Sequence, residues 1–271
     1  MSNLIGAHHA SRISSGHAKD GTAQYDFTWA VNLGIRFNSF DLHRLSTGTP
    51  LLATMLRRML DTAKTQGITE HVCCLDLGSI PDSKNSNWSQ QLTAAIRRLP
   101  EVGYYMLTRE PNAHGITVED YVRFQQGTIP IIRAANPNAK IVSGCLGATH
   151  ERAAWDWWFK VMSLDKSTDI VAVNFLGIEP KQIRDRLQSI LSLGKPIWIG
   201  ELGYPDLQQP HGWIAAAQYA LDMGVQRVIY APWPEDNALG GYEDYGILMQ
   251  GGAPKEPQYS AMKRFIAQVQ K

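Results

Sequence analysis

No run of about eighteen apolar residues occurs in the 271-residue chain, so no membrane-spanning helix is expected. Charge of one sign is missing too. The net charge is +1, with no basic stretch and no acidic tail, which argues against a nucleic-acid binder. The start, MSNLIGAHHASR, lacks a charged segment followed by an apolar one. It does not read as a leader, and the chain is expected to be cytoplasmic or a mature secreted form. Cysteine is scarce and odd in number: Cys73, Cys74 and Cys145. A disulfide framework is not expected, and neighbouring cysteines would form a strained bridge. All three lie in apolar sequence, HVCCLDLG and IVSGCLG, and read as buried thiols. Metal-ligand spacing is absent as well. No Pro/Ser-rich linker or low-complexity block interrupts residues 1–271, which are read as one domain.

What is present is alternation. Short apolar runs at 4–8, 34–38, 71–76, 102–110, 140–144, 169–174, 196–201 and 228–233 are rich in Val, Ile and aromatics. Such near-continuous runs suit parallel strands covered on both faces. Between them stand helical patterns. TPLLATMLRRMLDTAKTQG places Leu52, Met55, Leu56, Met59, Leu60 and Ala63 on one stripe, with a cap before it and a glycine after it. SNWSQQLTAAIRRLP, ERAAWDWWFKVMSL, PKQIRDRLQSILSLG, HGWIAAAQYALDMG and YSAMKRFIAQVQ repeat the theme. ITVEDYVRFQQGTIPIIRAANP reads as a helix interrupted near Gly127 and Pro130.

Eight strand–helix units at intervals of roughly 30 residues describe an α/β fold, a single closed (β/α)8 barrel. An open doubly wound sheet is the alternative. It asks for a glycine-rich phosphate loop after the first strand, and IGAHHASR offers none.

Reactive groups of such barrels sit at the carboxyl ends of the strands. Read there, the chain offers His8 and His9, Arg36 and Asn38, Asp76, then Arg109, Glu110 and Asn112, then Asn174, Glu201 and Tyr204, and finally Trp233. Glu110 and Glu201 end apolar strands, where a carboxylate is costly without a task or a partner. Two carboxyl groups across a cleft are the equipment for breaking a glycosidic bond: one protonates the leaving oxygen, the other attacks the anomeric carbon or activates water.

LTREPNAHG resembles the strand-four motif of the clan A glycoside hydrolases, and IWIGELGYP resembles their strand-seven nucleophile motif. DIVAVNFLG and VIYAPWPED are similar to their sixth and eighth strands. The resemblance implies a retaining mechanism on an oligo- or polysaccharide, with Glu110 as acid/base and Glu201 as nucleophile. It implies Trp233 as the platform under the sugar and Arg36 as the cation that keeps Glu201 ionised. It implies no metal or organic cofactor. Two departures stand out: Arg109 replaces the asparagine that precedes the acid, and Leu176 stands where an orienting hydroxyl is usual.

Strand alternation would send Arg109 into the helix layer. An arginine in the pocket would instead suit an acidic sugar. His8, Asn38, Asp76, Asn112, Asn174 and Tyr204 are read as substrate contacts. The Trp155, Trp157 and Trp158 cluster is read mainly as core. Two other readings remain: a carbohydrate-binding barrel that has lost catalysis, and a metal-dependent barrel hydrolase. The second is disfavoured because GAHHA lacks the His-x-His spacing and the fifth and sixth strands lack histidine.

Overall fold

A computed structural model describes residues 3–8, 12–15, 24–42, 50–75, 86–147, 149–204, 211–231 and 254–271. Eight parallel strands form one sheet. In chain order they are β1 (Ile5–His8), β4 (Phe37–Asp41), β5 (Glu70–Cys74), β6 (Tyr104–Met106), β7 (Lys140–Val142), β8 (Val171–Leu176), β9 (Ile197–Gly203) and β10 (Arg227–Tyr230). Their spatial order is β7-β6-β5-β4-β1-β10-β9-β8. Parallel bridges Val142↔Ile170 and Leu146↔Val173 join the two outer strands, and Asn174 N–H donates to the Leu146 carbonyl at 2.9 Å. The sheet is therefore a closed barrel. The remaining strands, β2 (Arg12–Ser15) and β3 (Gln24–Asp26), make an antiparallel hairpin after β1.

Helices α1 (Thr28–Leu33), α2 (Pro50–Gln66), α3 (Ser86–Arg98), α4 (Val118–Ala135), α5 (Arg152–Leu164), α6 (Pro180–Leu191), α7 (His211–Asp222) and α8 (Gln258–Val269) accompany the strands. Their apolar stripes are the buried ones: Leu56, Met59, Leu60 and Ala63 on α2, and Ile183, Leu187 and Ile190 on α6. Helix α4 is continuous through Pro130, contrary to the break expected there. Pro130 lies on the exposed face, so the carbonyl deprived of its partner can be met by water, and the buried face runs unbroken from Tyr121 to Ile132. Thr117 caps the helix by accepting from Asp120 N–H at 3.1 Å.

Two apolar layers result. Phe37, Val72, Cys74, Met106, Val142, Cys145, Ile170, Ala172, Trp198 and Ile229 fill the barrel interior, and the larger cluster lies between strands and helices. Adjacent Cys73 and Cys74 point into different layers, as a period of two requires. All three cysteines are buried thiols outside any disulfide. Gly6 leaves room for the Phe37 ring: a Cβ there would lie 2.4 Å from Phe37 Cδ1. At the amino-terminal end of the barrel the Arg227 guanidinium covers Phe37, with 3.8 Å between Cζ and the ring centroid, and pairs with Glu70 at 2.8 Å. Trp158 is core, while Trp155 and Trp157 are half-buried and donate to the Thr149 and Ile116 carbonyls, each at 2.9 Å.

Candidate active site

Glu110 and Arg109 lie just past β6. Leu107 N–H still bonds the Val142 carbonyl at 3.0 Å, and Arg109 bridges Cys145 in parallel. Thr108 and Glu110, on either side of Arg109, both have positive φ, 64° and 39°. For residues with a side chain this backbone costs about 1–3 kcal/mol each and persists only where its surroundings enforce it. The surroundings are visible. Tyr121 hydroxyl donates to the Leu107 carbonyl and accepts from Gly144 N–H, and Glu110 N–H bonds the Cys145 carbonyl. Glu110 also packs on Gly147, where a Cβ would come within 2.7 Å of its Cβ, Cγ and Cδ.

This backbone overturns the expected direction of Arg109. Alternation presumes extended φ at each residue, and here the residues on both sides of Arg109 depart from it. Arg109 and Glu110 both enter the barrel mouth. Arg109 Nη1 donates to Glu201 Oε1, and Nη2 donates to Asp41 Oδ1 at 2.7 Å and lies 2.8 Å from His8 Nδ1.

Glu201 reaches the same place by another device. On β9, Trp198 faces the interior and Ile199 the helix layer. Strict alternation would turn Glu201 outward with Ile199. The pairing with β8 instead slips between Val173↔Ile199 and Asn174↔Glu201, leaving Gly200 as an extra residue. The bulge turns Glu201 inward. A Cβ at Gly200 would lie 2.1 Å from Cys145 Sγ, so the bulge needs glycine.

Asn174 joins the two acids. Its Nδ2 donates to Glu110 Oε1 at 2.9 Å and to Glu201 Oε2 at 3.2 Å. Sharing one nitrogen, the two oxygens are within about 6 Å of each other, the scale of paired carboxyl groups across a reacting sugar. Both Glu201 oxygens are thereby engaged, one by Arg109 and one by Asn174. Burial pushes Glu201 up to about 7, with Arg109 pulling the other way and the Glu110 and Asp41 charges adding to the rise. Burial works against the Arg109 charge, but Glu201 and Asp41 outweigh it and hold the guanidinium well above the usual arginine range. Arg109 stays charged, and Glu201 is a carboxylate that loses its proton late.

Several expected contacts lie elsewhere. Arg36 is at the opposite end of β4. It precedes the strand, and its Nη1 donates to the Val31 and Ile35 carbonyls at 3.0 and 2.9 Å. The strand begins at Phe37 and ends at Asp41, so the sequence-based reading ended it three residues too early. Asn38 pairs with Ala7 and His71 and, one residue from inward Phe37, faces the helix layer. Ser39 and Asp41 take the inward positions, and Ser39 Oγ lies 3.2 Å from His8 Nδ1. Asp41 is the member of the site that the sequence reading missed.

Asn112 is committed to backbone. Its Nδ2 donates to the Gly147 carbonyl at 2.9 Å and its Oδ1 accepts from Gly147 N–H at 3.0 Å. Tyr204 is buried, with its hydroxyl donating to the Ile178 carbonyl; it is core, not a sugar platform. His9, Asp76 and Trp233 lie outside the described residues.

Among the described residues no group of three or more His, Cys, Asp or Glu side chains could hold a metal ion, and no helix is long and apolar enough to cross a membrane. No family model matches the chain, and no curated protein is similar enough to match. Solved structures do match. An endo-1,4-β-D-mannanase from Thermotoga petrophila, solved with maltose and glycerol, is 12% identical over 98% of this chain and 99% of its own, with a TM-score of 0.67. Cel5A of Thermotoga maritima with a mannotriose substrate is 13% identical over 96% and 97%, at 0.65. A glucosidase from Croceicoccus marinus is 12% identical over 98% of this chain and 68% of its own, at 0.75. At such identities the likeness shows the architecture: the chain folds as the (β/α)8 barrel of these enzymes.

Proposed function

We propose that the protein is a retaining glycoside hydrolase acting on an oligo- or polysaccharide, with Glu201 as nucleophile and Glu110 as acid/base. The observation that carries this reading is the pair itself: two carboxyl groups from β6 and β9, held within about 6 Å by one amide nitrogen. A spacing of about 5–5.5 Å goes with retention and about 6.5–9.5 Å with inversion.

The division of labour follows from the surroundings. Glu201 is buried against a fixed cation, which stabilises its anion and fixes its aim. It attacks the anomeric carbon as Glu110 passes its proton to the departing glycosidic oxygen. Glu110 is the more accessible of the two, as an acid that later handles water must be. In the second half Glu110 takes a proton from water, the hydroxide attacks the glycosyl ester, and Glu201 leaves as carboxylate. Asn174 holds both acids throughout. The acidic-sugar reading of Arg109 loses support, because both terminal nitrogens are already bound to protein. The saccharides bound by the maltose and mannotriose neighbours support a sugar ligand.

The test is turnover of aryl glycosides by Glu110→Gln and Glu201→Ala. Loss of acid catalysis is worth about 10²–10⁴-fold, so Glu110→Gln should lose that much on a poor leaving group. Azide should restore a Glu110→Ala variant, giving a glycosyl azide of retained configuration. Glu201→Ala should be inert. Saccharide binding without release of reducing sugar would instead identify a binding barrel, and unchanged turnover in either variant rejects the assignment.

A further inference from the structure

We propose that Asp41 is a positioning residue: it holds back part of the Arg109 charge and so keeps Glu201 more basic than a fully paired carboxylate would be. The name nucleophile for Glu201 rests on the function proposed above; the electrostatic claim does not.

The geometry is a divided fork. One end of the guanidinium goes to Glu201 and the other to Asp41 at 2.7 Å. All three side chains are largely shielded, at 14% exposure for Arg109, 5% for Asp41 and 6% for Glu201. Charges in such a place are weakly screened, so how one cation is apportioned between two anions matters far more than at the surface.

His8 fixes the count of charges. Its Nδ1 lies 2.8 Å from Arg109 Nη2, which has only protons to offer. Nδ1 must therefore accept, and the ring proton sits on Nε2, which faces Asp41 Oδ2 at 3.6 Å. An imidazolium would set N–H against N–H. His8 is thus a neutral brace between Arg109 and Asp41. Among the described residues, the other groups around Glu201 add no positive charge. Strand β4 brings Ser39 and Asp41, β5 brings the Cys74 thiol, and β8 brings Asn174. The end of β6 brings Glu110, and the segment after β7 brings Cys145, whose thiol burial holds neutral. Among the described residues, two carboxylates, Asp41 and Glu201, share Arg109, and Glu110 adds a further negative charge beside Glu201.

Without Asp41, the whole guanidinium charge would act on Glu201 and a like charge would be gone. Both changes favour the Glu201 anion. A more stable anion is a weaker base and a weaker nucleophile. Asp41 thus trades the acidic end of the working pH range for a more reactive carboxylate.

Asp41→Asn tests this in the intact chain, because the amide oxygen still accepts from Nη2 while the charge is lost. The Glu201 carboxyl is titrated by carbon-13 NMR, its signal assigned with Glu201→Gln, and the acid limb of kcat/KM is recorded in parallel. The Glu201 midpoint should fall by about half a unit or more, and the acid limb should fall with it. A midpoint that stays or rises overturns the proposal. Asp41→Ser, neutral and smaller, should move it in the same direction and serves if the Asn variant does not fold. If wild type releases no sugar while the midpoint falls, the hydrolase reading fails and the role of Asp41 stands. If sugar is released and the midpoint does not move, the reverse holds.

Discussion

Gly147→Ala is the sharpest single change the site offers. Gly147 has no positive φ, so alanine fits its backbone and the consequence falls on the neighbour. The new methyl group would lie 2.7 Å from Glu110 Cβ, Cγ and Cδ, where ordinary contact is 3.4–4 Å. A shift of roughly 1 Å is required, and a 1 Å misplacement is worth about 10²-fold in rate. Gly147 cannot easily retreat, because Asn112 grips its N–H and its carbonyl at 3.0 and 2.9 Å. The Glu110 backbone cannot easily retreat either, pinned at positive φ by its bond to Cys145. The side chain has to turn away. Overpacking of this kind typically costs about 1–3 kcal/mol of stability, so the variant should still fold. Two leaving groups make the assay. On an alkyl glycoside, which needs a proton, kcat/KM should drop about 10²-fold, equivalent to about 2.7 kcal/mol. On a dinitrophenyl glycoside, which hardly needs one, the drop should be much smaller. Equal losses on both would mean general collapse of the site, and no loss on the alkyl glycoside would refute the placement of Glu110.

Three further outcomes are expected. Glu201 has its proton affinity raised on folding, from 4.5 to about 7. The folded state therefore binds the extra proton between those values, and stability conferred below pH 4.5 is lost as pH rises through about 7. Relative to Glu201→Gln, wild type should lose on the order of 3 kcal/mol across that window in urea melts, and a flat difference would contradict the burial argument. Arg36→Met should leave the acid limb of the rate profile in place, whereas Arg109→Lys should shift it; a shift with Arg36 would return that residue to the site. Tyr204→Phe should lose about 1 kcal/mol of stability from its hydrogen bond, with KM unchanged in initial-rate measurements; a raised KM would make it a substrate contact.

The strand count and the two glutamates were legible because each rests on local pattern: apolar runs at regular intervals, each glutamate closing one. The errors come from backbone geometry and contacts that a local apolar pattern does not contain. FNSFD has apolar residues at 37 and 40, a spacing that fits neither face of a strand cleanly, so the end of β4 and with it Asp41 were invisible. Gly34 looked like the start of that strand but is the left-handed cap of α1. Asn112 looked like a cleft residue, yet its partner lies 35 positions away. The orientation of Arg109 depended on backbone angles that alternation does not contain. The short hairpin and α1 are too brief to leave a periodic trace.

Gly200 divides β9 into two reading frames. Before it, even-numbered residues look into the barrel; after it, odd-numbered ones do. Point substitutions nearby change one side chain, but ironing out the bulge at unchanged length would exchange the faces of everything downstream, swinging the carboxylate among the helices and Leu202 into the mouth. The bulge, and the glycine that permits it, is therefore what this segment has to keep.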